Sequence, residues 1–132
     1  MRTPVIKKVD CVQFYVSDLE QGIKLYRDVL GQKMSWRTDD SAGFLMPDSD
    51  AEIVIQTSRK EQETDLLVDS VDSSVKYLMD AGFTVVVPAF DIQVGRCAVL
   101  EDPWGNRMVL LDLSKGKLAT DSTGRVVGNV GP

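Results

Sequence analysis

Two carboxylates, Glu63 and Asp65, stand two residues apart in a stretch, residues 63–68, that is typical of a β-strand. Because side chains alternate between the two faces of a strand, both carboxylates are predicted to lie on the same face. One interpretation is an acidic pocket for a cationic ligand, or a carboxylate pair with Glu63 as a general base. The alternative is a solvated strand start beside a charged link.

Histidine is absent from the 132 residues, which removes the commonest general base and the commonest transition-metal ligand. Ser-His-Asp and Cys-His catalysis are therefore excluded. The two cysteines, Cys11 and Cys97, fall in predicted strands far apart in the sequence. We expect reduced, buried thiols rather than a disulfide, and no nucleophilic role for Cys11, since no base adjoins it.

The formal net charge of −5 disfavours a nucleic-acid partner, which requires a basic face, and mildly favours neutral or cationic ligands. No apolar run is long enough to span a bilayer, and the first ten residues lack the core of a signal peptide. The sequence therefore predicts one compact domain that resides in the cytoplasm without a membrane partner.

The elements that would position these side chains follow an order that occurs twice. In the first half, alternating apolar residues over 12–16 predict a strand, and Ser17 with Glu20 predicts a capping box at the start of a helix. That helix is expected to end at Gly31, and three short strands follow it. The order is β-α-β-β-β up to about residue 57.

The second half repeats this order after a charged link at 58–62. Ser70 is predicted to cap a helix that stops at Gly82, and an offset of 52 residues aligns the two halves. The predicted strands lie at 63–68, 83–87, 97–100 and 108–113, with a loop at 89–95. We predict an α+β fold of two βαβββ modules, about 5–57 and 63–113, within a single domain at 1–113.

The segment 114–132 is rich in Gly, Ser and Thr and has no sustained period, which predicts a flexible C-terminal tail. Alternatively, Arg125–Val127 adds a short strand to a sheet edge or to a partner subunit.

This doubled unit resembles the vicinal-oxygen-chelate superfamily, which contains glyoxalase I, extradiol dioxygenases and bleomycin-resistance proteins. The resemblance is carried by VSDLE at 16–20 and YRDVLG at 26–31, and in the second half by AGF at 81–83 and EDPWGN at 101–106. It covers residues 5–113. It implies a curved mixed sheet around a cavity, helices outside, and a homodimer, in some members with exchanged halves.

Strand alternation then predicts which side chains face that cavity. They are Cys11, Gln13 and Tyr15; Glu52, Val54 and Gln56; Glu63, Asp65 and Leu67; and Arg107, Val109 and Leu111. Trp36 is predicted to form an aromatic wall, whereas Trp104 is expected to pack within its turn. Arg107 either pairs with the Glu63/Asp65 carboxylates or is a surface arginine. Tyr15 either donates its hydroxyl to a ligand or simply packs.

The resemblance also implies four metal-ligand positions, occupied here by Cys11, Val54, Glu63 and Val109. Valine cannot ligate a metal, and the thiolate and carboxylate differ in softness, so we expect no cofactor and no divalent metal. An alternative is an improvised oxygen site for Mg²⁺ or Mn²⁺. Its ligands would be Gln13, Glu52, Glu63 and Asp65.

The sequence thus favours a metal-independent binding protein of the bleomycin-resistance type, which sequesters a small and preferably cationic organic ligand. The alternative is a lyase or isomerase of the glyoxalase-like type that uses Glu63 as its base. A regulatory or structural dimer is a third interpretation.

Overall fold

The computed structural model describes residues 3–131. Its elements are β1 (Lys8–Tyr15), α1 (Leu19–Lys24) with a π-helical continuation (Leu25–Val29), β2 (Met34–Arg37), β3 (Ser41–Met46), β4 (Ser49–Gln56), β5 (Glu63–Leu67), α2 (Val71–Asp80), β6 (Thr84–Ile92), β7 (Gly95–Glu101), β8 (Arg107–Leu111), β9 (Lys117–Thr120) and β10 (Val126–Val130). The first eight strands and two helices confirm the predicted α+β order, β-α-β-β-β twice. Parallel and antiparallel pairs both occur.

Contacts within the chain define two compact units. The N-terminal unit comprises residues 10–64 and 119–128. The C-terminal unit comprises 65–118 with the described residues before 10 and after 128. The single domain at 1–113 stays a prediction, and residues 1, 2 and 132 of the predicted ranges lie outside the described residues. Neither helix among residues 3–131 has the length and apolar character that crossing a bilayer requires.

In the N-terminal unit the strands lie in the order β2-β3-β4-β1. β1 and β4 are parallel, while β3 is antiparallel to both of its neighbours. The helix α1 covers one face, because its apolar residues recur at helical spacing and are removed from water against the strands. The buried residues of this core are Leu19, Ile23, Ala42, Phe44 and Ile55.

The start of α1 differs from the prediction by one residue. The N-cap is Asp18, whose Oδ1 accepts the Gln21 N–H at 2.9 Å, and not Ser17. Glu20 does not close a capping box but accepts a hydrogen bond from Arg37 at 2.5 Å, and this bond holds the pKa of Glu20 below its usual value. Both Ser and Asp suit an N-cap, so local sequence alone does not choose between them.

Substitution at this cap separates the two assignments. We expect Asp18→Ala to lower the free energy of unfolding by about 1 kcal/mol, because the Gln21 N–H loses its acceptor. Ser17→Ala is the matched control and should have a much smaller effect. Urea denaturation followed by circular dichroism measures both, and a larger loss for Ser17→Ala would contradict the assignment.

In the C-terminal unit the strands lie in the order β5-β8-β7-β6, with β5 and β8 parallel. The predicted cap is confirmed, since Ser70 Oγ accepts the Ser73 N–H at 3.3 Å, and the helix gives way to Gly82 at φ 101°. α2 packs on one face of these strands. The buried residues there are Val68, Val71, Leu78, Ala98, Leu100 and Leu110.

The predicted loop at 89–95 is wrong, because β6 continues through Pro88 to Ile92. The pairing of β6 with β7 shifts register between Val85 and Val87 and again between Val87 and Phe90. Within this unit β6 ends the strand order, and an edge position tolerates proline because the missing N–H has no ladder partner to lose.

The segment predicted as a flexible tail carries a hairpin instead, formed by β9 and β10. The alternative strand at Arg125–Val127 is closer to the structure, in which β10 begins at Val126. In the N-terminal unit the hairpin tip contacts the end of β2. The Gly124 carbonyl accepts the Arg37 N–H at 2.8 Å, and Arg125 forms an ion pair with Asp39.

Candidate functional site

The face of the N-terminal unit opposite α1 carries the side chains that strand alternation predicts. β1 and β4 pair in register, with Cys11 opposite Glu52, Gln13 opposite Val54 and Tyr15 opposite Gln56. The intervening residues belong to the helix side, where Ile53 and Ile55 join the core and Phe14 stacks on Tyr26. These six predicted residues therefore share one face.

The indole ring of Trp36 lies across this same face. Gly43 pairs with Val54 on one side and with Trp36 on the other, and a Cβ atom at Gly43 would overlap the indole ring. Glu52 fixes the ring from its polar edge, because its Oε1 accepts the Trp36 Nε1–H at 2.9 Å. Its Oε2 accepts the Ser35 hydroxyl at 2.8 Å. The result is an oriented aromatic ring beside a carboxylate that is already hydrogen-bonded.

A second polar group on this face comes from the link after β4. Gln56 is buried, and its Oε1 accepts the N–H groups of Ser58 and Arg59 at 2.7 Å each. Its Nε2 donates to the Arg59 carbonyl at 2.7 Å. The Arg59 guanidinium donates to Gln13 Oε1 at 2.6 Å and lies 3.4 Å from a carboxylate oxygen of Glu63. The link is thus anchored to the sheet.

Arg59 lies in the charged link at 58–62 and is not among the residues that the sequence predicts for the site. The sequence carries no local signal for its contact with Glu63, because a spacing of four residues brings side chains together on a helix and residues 57–62 are not helical. The Glu63 side chain is only 21% exposed, so it is not part of a fully solvated strand start. Glu63, the candidate base, therefore forms an ion pair with Arg59.

In the C-terminal unit, Asp65 pairs with Val109 and Leu67 with Leu111 across β5 and β8. Cys97, Val109 and Leu111 form a buried cluster distinct from the core under α2. Asp65 is itself only 5% exposed. Asp65, Leu67, Val109 and Leu111 thus share the face opposite α2, and Asp65 is not solvated.

Arg107 does not pair with the carboxylates of β5. It is 62% exposed and lies 3.4 Å from Glu101, so the interpretation as a surface arginine is the correct one. Trp104 is also exposed, at 85%, and the expectation that it packs within its turn is wrong. That turn is held by Asp102, which accepts hydrogen bonds from the N–H groups of Trp104 and Asn106. The Asn106 side chain, which also donates to it, lowers the pKa of Asp102.

A buried carboxylate that the sequence did not reveal is Asp112, just after β8, which is 3% exposed. Its Oδ2 accepts the Val71 N–H at 2.8 Å, at the start of α2. Its Oδ1 accepts the Arg96 N–H at 2.9 Å and the Ser114 hydroxyl at 2.8 Å. Burial alone would raise the pKa of Asp112, but these donors outweigh it and the pKa is lowered. Asp112 thus joins α2, β7 and the segment after β8, which is a structural role.

The described side chains do not form a metal centre as they stand. Among residues 3–131, no group of three or more His, Cys, Asp or Glu residues is arranged to hold a metal ion. The improvised oxygen site is not preformed either, because Glu52 accepts two hydrogen bonds and Gln13 and Glu63 contact Arg59.

Comparison with known proteins gives one family and a consistent fold. A family model described as Glyoxalase/Bleomycin resistance protein/Dioxygenase superfamily matches residues 8–110. No curated protein sequence matches the chain.

Among solved structures, methylmalonyl-CoA epimerase from Mycobacterium tuberculosis is similar with a TM-score of 0.72 and 19% identity, over 86% of this chain and 93% of that one. The Mn(II)-bound glyoxalase from Novosphingobium aromaticivorans has a TM-score of 0.59 and 19% identity, over 87% of this chain and 43% of that one. An extradiol ring-cleaving dioxygenase from B. fuscum has a TM-score of 0.61 and 19% identity, over 83% of this chain and 33% of that one. At these identities the similarity shows the fold.

These comparisons overturn our expectation that no divalent metal is used. A glyoxalase with this fold is Mn(II)-bound, so metal binding lies within the range of the fold. The valines at two of the four implied ligand positions, Val54 and Val109, therefore do not decide whether this chain binds a divalent metal.

Proposed function

Since the chain belongs to the Glyoxalase/Bleomycin resistance protein/Dioxygenase superfamily, we propose that it binds a small organic molecule on the face of the N-terminal unit opposite α1. The observation that carries this proposal is the placement of Trp36, whose ring lies across Gly43 and is oriented by Glu52. An indole fixed at its polar edge offers a flat apolar surface to a planar ligand without losing rotamer freedom on binding. The half-buried predicted residues of this face, Gln13, Tyr15 and Glu52, complete the ligand contacts, whereas Cys11, Val54 and Gln56 are buried beneath it.

Trp36 and Trp104 provide a matched pair for testing this proposal. We expect a planar aromatic ligand, found by screening a compound panel, to quench the fluorescence of Trp36 in the Trp104→Phe variant. Trp36→Phe should weaken binding about tenfold or more, because the smaller ring loses contact area and the bond to Glu52. Trp104→Phe should leave the affinity unchanged, as Trp104 is 85% exposed. Equal affinities for the two variants would remove the support for this site.

The preference for a cationic ligand receives less support than the site itself. On this face Glu52 is engaged by Ser35 and Trp36, and Glu63 faces the Arg59 guanidinium. Each carboxylate already lies beside hydrogen-bond donors or a positive charge, which weakens its attraction for a cation.

A lyase or isomerase that uses Glu63 as its base is a second candidate. It is favoured by the similarity to an epimerase over most of both chains. The test is turnover of a 2-oxoaldehyde–thiol adduct, measured with added Mn²⁺ and with a chelator. We expect Glu63→Gln to abolish any turnover, because an amide cannot accept the proton. Unchanged turnover would rule out Glu63 as the base.

The proposal includes a homodimer, as the family resemblance implies, and a cytoplasmic location, as the sequence analysis expects. Sedimentation equilibrium on the full chain distinguishes a dimer from a monomer. Fractionation of cells that produce the protein tests its location.

A further inference from the structure

We propose that Arg59 binds an anionic group, of the carboxylate class, on the ligand held at the Trp36 face; this inference rests on the proposed function. The Arg59 side chain is 52% exposed, although the N–H and the carbonyl of Arg59 are both hydrogen-bonded to the side chain of Gln56 in β4. It lies beside Gln13, which is on the same face as Trp36. Arg59 thus presents a positive charge at the site that we assign to the ligand.

The backbone of Arg59 is held by a single buried side chain. Gln56 is 4% exposed and makes three hydrogen bonds of 2.7 Å, one to the Arg59 N–H, one to its carbonyl and one to the Ser58 N–H. An amide that satisfies both its oxygen and its nitrogen in this way fixes the chain locally. The Cα atom of Arg59 is therefore positioned before any ligand arrives, which lowers the entropic cost of using its side chain.

The guanidinium group of Arg59 has N–H donors that bind no acceptor in the described part of the chain. Nη2 donates to Gln13, and Nε lies 3.4 Å from one oxygen of Glu63, beyond the range of a strong charge-assisted hydrogen bond. Among residues 3–131, Nη1 donates to no acceptor of the protein. Since guanidinium carries five N–H groups, a ligand carboxylate can bind in the bidentate geometry that the Glu63 contact does not achieve.

The inference implies an exchange of partners. Glu63 holds the guanidinium in the free protein, and a ligand carboxylate competes with it for the same donors. Removal of the negative charge of Glu63 should therefore strengthen anion binding rather than weaken it. This sign separates the inference from the use of Glu63 as a base or as a cation contact, each of which predicts a loss of function in Glu63→Gln.

Phenylacetate and phenylacetamide are suitable probes, because they share a ring and differ in charge. We expect calorimetry to show phenylacetate bound about tenfold more tightly than phenylacetamide by the wild-type protein. Arg59→Gln should abolish this difference, Arg59→Lys should retain part of it, and Glu63→Gln should increase it. Lys60→Gln is the matched control, since it removes the same charge from the neighbouring residue and should change little.

The outcomes distinguish the inference from the proposed function. Equal binding of both probes, unaffected by Arg59→Gln, overturns the role of Arg59 and leaves the ligand site intact. If neither probe binds, the proposed function loses support and an NMR titration with acetate decides the inference. Loss of a signal in Arg59→Gln assigns the Arg59 Nε–Hε group. A saturable shift of this signal in the wild-type protein supports an anion site, and a signal that does not move throughout the titration overturns the inference.

Discussion

Asp112→Ala is expected to lower the free energy of unfolding by about 3 kcal/mol, a large fraction of the stability of a typical domain. The carboxylate is 3% exposed and accepts hydrogen bonds from the N–H groups of Val71 and Arg96 and from Ser114. Removal leaves buried donors without an acceptor, and each such donor is costly. It also removes the contact by which the end of β8 orients the start of α2. Chemical denaturation at neutral pH gives the value directly.

Asp121 is the matched control for this substitution. It accepts the N–H and the hydroxyl of Thr123, two residues later, just as Asp112 accepts those of Ser114. Asp121 is exposed and lacks the bond to a helix start, so Asp121→Ala should cost much less. Equal losses for the two variants would mean that the local turn with Ser114 or Thr123, and not burial, determines the effect.

Acid should reduce the contribution of Asp112. Its pKa is lower in the folded protein than in the unfolded chain, so the stabilisation is complete above the unfolded value of about 3.9 and is lost as pH falls through the folded pKa. We expect the stability difference between wild type and Asp112→Asn to shrink as pH falls below about 4. Urea denaturation at pH 3 and pH 7 measures that difference, and a constant difference would contradict an ionised Asp112.

The sequence predicts the order of elements well because its signals are local. Alternation marks the strands, and Ser70 with Gly82 marks both ends of α2. Prediction from the sequence fails where the secondary structure of a segment depends on contacts with residues that are distant in the sequence. Pro88 stops a central strand but is tolerated at an edge, and edge position follows from the sheet order. The hairpin after residue 114 likewise depends on contacts with β2, which its Gly-rich composition does not encode.

The candidate site shows the same division. The period of two places Gln13 and Glu52 on the face opposite α1, because alternation is a property of each strand by itself. It does not reveal which groups they bind. The contact of Gln13 with Arg59 requires the fold of a link, and the bond of Glu52 to Trp36 requires the register of three strands. Glu52 and Glu63, which the sequence offers as ligand contacts, therefore already contact other side chains of the protein.

Gly43→Ala is expected to displace Trp36 and to weaken ligand binding about tenfold or more. A Cβ atom at this position overlaps the indole, so the ring must leave the sheet and its bond to Glu52 must break. We expect a loss of about 2 kcal/mol of stability from this overpacking. In the Trp104→Phe background, the fluorescence of Trp36 should shift to longer wavelength as its ring becomes solvated.

A double-mutant cycle with Trp36→Ala isolates the cause. Gly43 has no positive φ angle, so alanine is compatible with its backbone and the cost should come from the ring alone. In the Trp36→Ala background, Gly43→Ala should therefore cost little, and the two substitutions should be strongly non-additive. Equal costs in both backgrounds would show that Gly43 serves the strand itself. In that case the orientation of Trp36 would not depend on the absence of a side chain beneath it, and the ligand site would need another basis.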